Sequence, residues 1–469
     1  MTQLTALDAQ FLNTESGTTA AHVAGVAILD ADVTREALAA LLSERVHLSP
    51  ALSQRLTGLP FGLDHPHWAP APDFDLDNHL FEVRLSHDEE LPDAVARIHA
   101  RHLDRAHPLW EMHLIRGEIR GERTAVYVKV HHAAIDGVSG AETLATLLDL
   151  TPEPRAVEPP QPAAKAPNTT ELLTDAIRSA ATQPVRTLRS LARAAGDLDA
   201  IPVASKLPGA RTIARLSRLA MGDRRPRPDL PVMDVPPTPF NGPITAERHV
   251  AFGSIPLKDV KQVARAHGVS VNDVVMTLCA AALRGWLDER GALPDLPLVA
   301  AVPVSIRTAG SGEEARNQIS AMITPMPTNV ADPLDRLRTM GASMNTAKRR
   351  FAVSSSSWLH ELCAMLPAPL SSLATPAVFR LAALAFPPIN LIVSNVPGPQ
   401  FPLYLCGARV LSYYPLSVLT DVSGGVVITC FSYDGALDFG LVACPGRMDD
   451  VGKLMARLND AMDELLLAE

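Results

Sequence analysis

Two adjacent histidines, His131 and His132, are followed after a three-residue gap by Asp136 and Gly137 in the stretch "YVKVHHAAIDG" at 127–137. Imidazole titrates near neutrality, so a ring placed beside a hydroxyl can take its proton in a transition state. Two other readings compete with a general base. As metal ligands the pair is poorly arranged, because neighbours on a strand point to opposite faces and the i, i+4 spacing of helical zinc motifs is absent. As structure, one buried imidazole bonded to a carbonyl is ordinary. The Asp-Gly pair gives the general-base reading a physical basis. An acidic side chain can pin the loop through an arginine, and Gly accepts a turn conformation that a Cβ would forbid. Alternation then sends one ring to the core and the other to an open channel.

The elements that deliver this stretch are legible from periodicity and turn residues. "HVAGVAIL" (22–29) reads as a strand, "TREALAALLSERV" (34–46) as a helix capped by Thr34, and "DAVARIHARHLDR" (93–105) as a second helix. "LWEMHLIRG" and "TAVYVKVHH" follow as strands joined by the polar turn "EIRGER", and "GAETLATLLDL" returns to helix. A buried strand thus feeds a turn and then a helix, a common setting for exposed chemistry.

Composition then changes. "TPEPRAVEPPQPAAKAPNTT" (151–170) is Pro-rich and is expected to be extended, and 171–222 is expected to be helical. Between 178 and 227 stand eleven Lys or Arg (178, 186, 189, 193, 206, 211, 215, 218, 224, 225, 227) against three Asp (197, 199, 223), an excess of eight positive charges. This basic insert reads either as a solvated face on helices bridging two domains or as a surface that docks on anionic lipid. A second Pro-rich stretch, 224–240, closes it. The second half mixes strands ("AERHVAFGSIPL", "LPLVAAVPVSI", "INLIVSNV") with helices ("LKDVKQVARAHG", "VNDVVMTLCAAALRGWLDERG", "PLDRLRTMGASMNTAKRR"). A hairpin-rich run with an Asp434-Gly435 turn signal and a C-terminal amphipathic helix complete it.

Bulk composition narrows the classes. At 469 residues with 47% hydrophobic and 20% charged residues, a globular chain of two domains is expected. A net charge of −9 provides no global basic field for nucleic acid. Five cysteines without a CxxC pair argue against a disulfide framework and fit a reducing compartment. The N-terminal stretch lacks the pattern of a secretory signal, and no apolar run reaches membrane-spanning length.

The 127–137 stretch resembles the HHxxxDG signature of the chloramphenicol acetyltransferase-like superfamily. Within it the chain is similar nearly end to end to the bacterial, mycobacterial-type wax ester synthase/acyl-CoA:diacylglycerol acyltransferase family. "LTALDAQFL" (4–12), "RAHPLWEMHLI" (105–115), "FNGPIT" (240–245), "VNDVV" (271–275), "VPVSIR" (302–307) and "SNVPGP" (394–399) occur in that family's order. The resemblance implies an α/β fold with mixed sheets, in which two acetyltransferase-like domains form a pseudo-dimer around an interdomain tunnel. The domains would be 1–150, carrying HHxxxDG, and 241–469, separated by the linker and basic helical insert at 151–240.

It implies His132 as general base, with His131 and Gly137 shaping the loop and Asp136 structural, paired with Arg307. Pro108, Leu109 and Trp110 would line or support an acyl channel, although a Trp there is also an ordinary core anchor. Asn272 and Asp273 would begin a helix near the domain junction, in a supporting or a capping role. A second superfamily element, DFGWG, is incomplete here: Asp438, Phe439 and Gly440 remain without the Trp, so no coenzyme contact is assigned.

The implied reaction moves an acyl group from long-chain acyl-CoA, as co-substrate, to diacylglycerol, giving triacylglycerol, with neither cofactor nor metal. The alternatives are wax ester synthesis, acylation of a long-chain diol, and a catalytically weak lipid-droplet-binding protein. The expected setting is cytoplasmic and peripheral, on the inner membrane face or lipid droplets.

Overall fold

In the computed structural model, the described residues are 2–58, 64–86, 90–117, 124–135, 137–159, 195–196, 209–222, 233–305, 319–353, 371, 374–375, 377 and 388–468. The first 150 residues give β1 (Thr2–Gln3), α1 (Ala6–Thr14), β2 (His22–Leu29), α2 (Arg35–Arg45), α3 (Pro50–Ser53), β3 (Gln54–Thr57) and β4 (His67–Pro70). They continue with β5 (Leu80–Arg84), α4 (Leu91–His99), β6 (Trp110–Arg116), β7 (Ala125–His131) and α5 (Gly137–Leu147). Local chemistry sets the helix starts. Thr5 and Asp8 form a capping box on α1, and the Thr34 hydroxyl accepts the Ala37 N–H on α2.

Of the basic insert, the described part is one helix, α6 (Ala210–Ala220), with its flanking turns and the pair 195–196. Helices expected elsewhere in 171–208 lie otherwise outside the described residues. Beyond it come β8 (His249–Pro256), α7 (Leu257–Ala266), α8 (Val271–Asp288), β9 (Leu298–Ser305), β10 (Ile319–Met326) and α9 (Pro333–Val353). The chain continues through β11 (Leu391–Pro397), β12 (Tyr404–Leu405), β13 (Ala408–Leu416), β14 (Val426–Tyr433), β15 (Ala436–Ala443) and α10 (Val451–Leu467). At the Asp-Gly signal, Asp434 and Gly435 both take positive φ (40° and 86°), the backbone a two-residue hairpin turn with the right twist requires.

The strands form two six-stranded mixed sheets, ordered β12-β13-β2-β7-β6-β5 and β10-β9-β11-β14-β15-β8, beside a small sheet β1-β4-β3. Parallel pairs (β5 with β6, β9 with β11, β11 with β14) sit among antiparallel ones. The sheets do not follow chain order. After β11 the chain leaves the second sheet, adds β12 and β13 to the free edge of β2 in the first, and returns for β14. Helices α7, α8 and α10 pack with the second sheet into one apolar core, while α2, β7 and β13 contribute to another.

A third apolar cluster joins the halves, bringing Val26, Tyr127 and Tyr414 from the first sheet against Val250, Val427 and Val442 from the second. The crossing is locked where β13 meets β15. The fully buried Asp438 accepts the Tyr413 N–H through Oδ2 (2.7 Å) and the Ser254 hydroxyl through Oδ1 (2.6 Å). Two residues on, Gly440 lies so close to the Pro415 carbonyl that a Cβ would collide with it. The Asp-Phe-Gly remnant is therefore a strut between sheets. Among the described residues no single helix is long and apolar enough to cross a membrane.

Gly440→Ala should wedge β15 from β13 and cost about 1–3 kcal/mol, the usual penalty for overfilling a packed site. Urea unfolding of variant and parent measures it, and an unchanged midpoint would rule out a tight crossing.

Candidate active site

Strand β7 ends at His131 because its partners run out there: His131 N–H donates to the Leu109 carbonyl (2.9 Å) and His132 N–H to the Ala21 carbonyl (2.9 Å). The chain then turns sharply. Ala134 N–H donates to the His131 carbonyl (2.9 Å), and Ala133 N–H donates to His131 Nδ1 (3.0 Å). An Nδ1 that accepts carries no proton, so the ring proton of His131 sits on Nε2. That nitrogen faces Glu15, whose Oε1 lies 3.3 Å away.

Glu15 lies just past α1 and is held from three sides. Oε2 accepts from Arg105 Nε (3.1 Å) and from a terminal guanidinium nitrogen (2.6 Å), while Oε1 accepts the Ala21 N–H (3.1 Å). Burial opposes ionisation of Glu15, but hydrogen bonds and charge from His131 and Arg105 outweigh it and hold the carboxyl at about 2. Burial also lowers the pKa of His131, against the pull of Glu15, so the ring stays neutral near pH 7. The same Arg105 donates to the Leu12 carbonyl (2.8 Å), tying down the end of α1.

His132, one residue on, points the other way. Its ring stacks on Phe11 of α1, with centroids 3.9 Å apart and planes 8° from parallel, and it borders a cavity of about 230 Å³. The cavity lies between the sheets and α5, with Val130, Leu144, Val396, Tyr413 and Phe431 among its walls. An apolar cleft at a domain seam with few polar groups is the common form of a small-molecule site. Ser394, Asn395 and Thr429 supply polar groups on its second-sheet side. A half-buried imidazole fixed by stacking and backbone bonds, beside apolar space, can take a proton from a hydroxyl that enters there.

The other expected site residues divide. Asp136 and Arg307 lie outside the described residues, and Gly137 opens α5. Asp273 completes a capping box on α8, accepting the Ser270 N–H (2.9 Å) while the Ser270 hydroxyl accepts the Asp273 N–H (3.2 Å). Asn272 reaches the cavity indirectly, since its Oδ1 accepts from Asn395 Nδ2 (3.2 Å).

Pro108, Leu109 and Trp110, expected to line or support an acyl channel or to anchor the core, are not among the residues lining this cavity. Trp110 is buried, donates to the Leu52 carbonyl (2.9 Å) and stacks on His79 at 4.5 Å, so it anchors the core of the first half. Leu109 supports the site only through the carbonyl that receives the His131 N–H. Phe11, Glu15 and Arg105 were missed in the sequence. Phe11 lies within "LTALDAQFL", but no pattern connects either Glu15 or Arg105 to His131.

Residues 4–275 match the wax ester synthase/diacylglycerol acyltransferase catalytic domain, and residues 315–466 match the C-terminal domain of the same family. A candidate diacylglycerol O-acyltransferase of Mycobacterium tuberculosis is 34% identical over 99% of this chain and 90% of its own length. A probable diacylglycerol O-acyltransferase of the same organism is 32% identical over 98% of this chain and 97% of its own length. The solved wax ester synthase/diacylglycerol acyltransferase from Marinobacter aquaeolei VT8 superposes with a TM-score of 0.69 at 26% identity, over 100% of this chain and 99% of that one. The first condensation domain of the calcium-dependent antibiotic synthetase shares the fold, with a TM-score of 0.54 at 16% identity, over 99% of this chain and 96% of that one.

Because the folded pKa of Glu15 is depressed from 4.5 to about 2, its contribution to stability is present above pH 4.5 and is lost as pH falls towards 2. The shift corresponds to up to about 3 kcal/mol. Glu15→Gln should lose part of that amount at pH 7, where His131 is neutral and Arg105 supplies the charge, and should flatten the stability profile between pH 4.5 and 2. Urea titrations across that range measure it, and a variant as acid-sensitive as the parent would show that the carboxylate does not anchor the turn.

Proposed function

Since this chain belongs to the wax ester synthase/diacylglycerol acyltransferase family, we propose that it transfers the acyl group of an acyl-CoA thioester to the free hydroxyl of diacylglycerol, with His132 as the general base. The observation that carries this reading is His132 standing on the wall of an apolar cavity between the two sheets, its ring packed on Phe11 and its backbone held on Ala21.

His132 takes the hydroxyl proton as the oxygen attacks the thioester carbonyl, and the proton then passes to the departing thiolate of coenzyme A. No covalent intermediate on the protein is needed, and the reaction calls on neither metal nor cofactor. His131 acts through the turn: its ring receives the Ala133 N–H and faces Glu15, which fixes where the next ring points. Apolar walls suit both acyl chains and keep bulk water from competing for the thioester. Because the acceptor lies in a lipid phase, the enzyme works peripherally, at the inner face of a membrane or at a lipid droplet.

General-base action contributes typically ~10²–10⁴-fold. His132→Ala should therefore lose turnover by about that factor while unfolding at the parental urea concentration. Release of coenzyme A from palmitoyl-CoA measures it, with diacylglycerol, hexadecanol and a long diol offered in parallel. Undiminished turnover would sink the assignment of the base, and a preference for hexadecanol would replace the acceptor.

A further inference from the structure

Helix α6 divides its circumference into three arcs. Ala210 and Ala214 are buried against the rest of the protein, Arg211 and Arg215 are exposed on one flank, and Ile213 (49% exposed), Leu216 (61%) and Leu219 (52%) face outward. At 100° per residue these apolar side chains form one stripe beside the basic flank. Met221, the residue that caps the helix, is also exposed (46%). Of the exposed large hydrophobic residues among those described, no other element carries as many. A contiguous apolar patch on a helix of positive charge, in a chain of net charge −9, marks a contact surface rather than a solvated face.

Two details fix the helix in place. Gly209 and Gly222 bound it in left-handed conformations (φ 82° and 77°), which sharply redirect the chain at each end. Arg218 donates to the Gly196 carbonyl (2.7 Å), tying the helix to the preceding segment. Ala210 and Ala214 are buried while Leu216 and Leu219 stay exposed.

We infer that α6 is the element through which this protein docks on an anionic lipid surface, with Ile213, Leu216 and Leu219 entering the acyl boundary and Arg211 and Arg215 meeting headgroup phosphates. The occupant follows from the pairing of properties. A protein partner is as well served by the apolar stripe alone, whereas arginines along its flank complement a negatively charged interface whose interior is apolar. The inference rests on the reading of the acceptor as a membrane or droplet lipid, and it extends that reading by naming the surface that brings the cavity to its substrate.

Sedimentation of the full chain with phosphatidylcholine vesicles, with and without phosphatidylglycerol, tests it in the absence of any substrate. The parent should bind the anionic vesicles more tightly and lose affinity as salt rises. Arg211→Gln with Arg215→Gln should weaken anionic binding by about fivefold per arginine and remove most of the salt dependence. Ile213→Ser with Leu216→Ser and Leu219→Ser should abolish binding to both vesicles.

Circular dichroism and turnover with a water-soluble short-chain alcohol should be unchanged in both variants, which separates failure of docking from failure of the chemistry. Vesicle binding that survives both sets of substitutions would overturn the inference. So would a parent that sediments as a dimer and a triple-serine variant that sediments as a monomer, since the stripe would then join two copies.

Discussion

One buried carboxylate governs the geometry of the site. Glu15 is almost wholly removed from solvent and stays ionised because Arg105 neutralises it and donates to one oxygen while the Ala21 N–H donates to the other. Its two oxygens reach different parts of the site. Oε2 takes the guanidinium that also grips the end of α1, and Oε1 meets both the His131 ring and the Ala21 N–H. Ala21 in turn accepts the N–H of His132, so a single charge fixes the side chain of one histidine and the backbone of the next. Such an arrangement is stiff because each partner is costly to leave unpaired in a low-dielectric interior.

The division of labour between the two rings follows from strand geometry. Successive residues project to opposite faces, so His131 turns inward to the carboxylate and His132 outward to the cavity. The same alternation places Val128 and Val130 on the cavity side, which makes the approach to His132 apolar. The cavity exists because two twisted sheets meet along a seam that their side chains do not fill. That seam is held by β13, a strand of the second half built into the sheet of the first, and by Asp438 and Gly440 at its crossing with β15. An acid that accepts a backbone N–H from the opposite sheet, and a glycine that lets the two backbones touch, give the Asp-Phe-Gly segment a structural role that needs no tryptophan.

Much of the architecture was legible in the sequence because it is set by neighbours in the chain. Alternation gave β2 at 22–29, Thr34 marked the start of α2, and Asp434-Gly435 announced its hairpin. The helix expected over 93–105 runs only through His99, because His102 instead turns to the carbonyls of Ser16 and Thr19. The Pro-Leu-Trp element left two roles open in the sequence: an indole N–H that finds the Leu52 carbonyl makes Trp110 a core anchor, and nothing local separates that role from a channel wall. Asp273 is a helix cap for the same reason that its spacing from Ser270 suggests one.

The sequence by itself determined the mixed α/β character, the strand–turn–helix that presents the paired histidines, and the basic amphipathic segment, since each is written in residues a few positions apart. Only the tertiary structure decided which groups the histidines meet. Phe11, Glu15 and Arg105 are brought to them by packing, and no periodicity encodes a contact between a helix end and a strand end far off in the chain. It also decided that β13 crosses between sheets. A strand's alternation specifies that one of its faces is buried but not which sheet it joins, and that choice was settled by the edge of β2 and the carboxylate of Asp438.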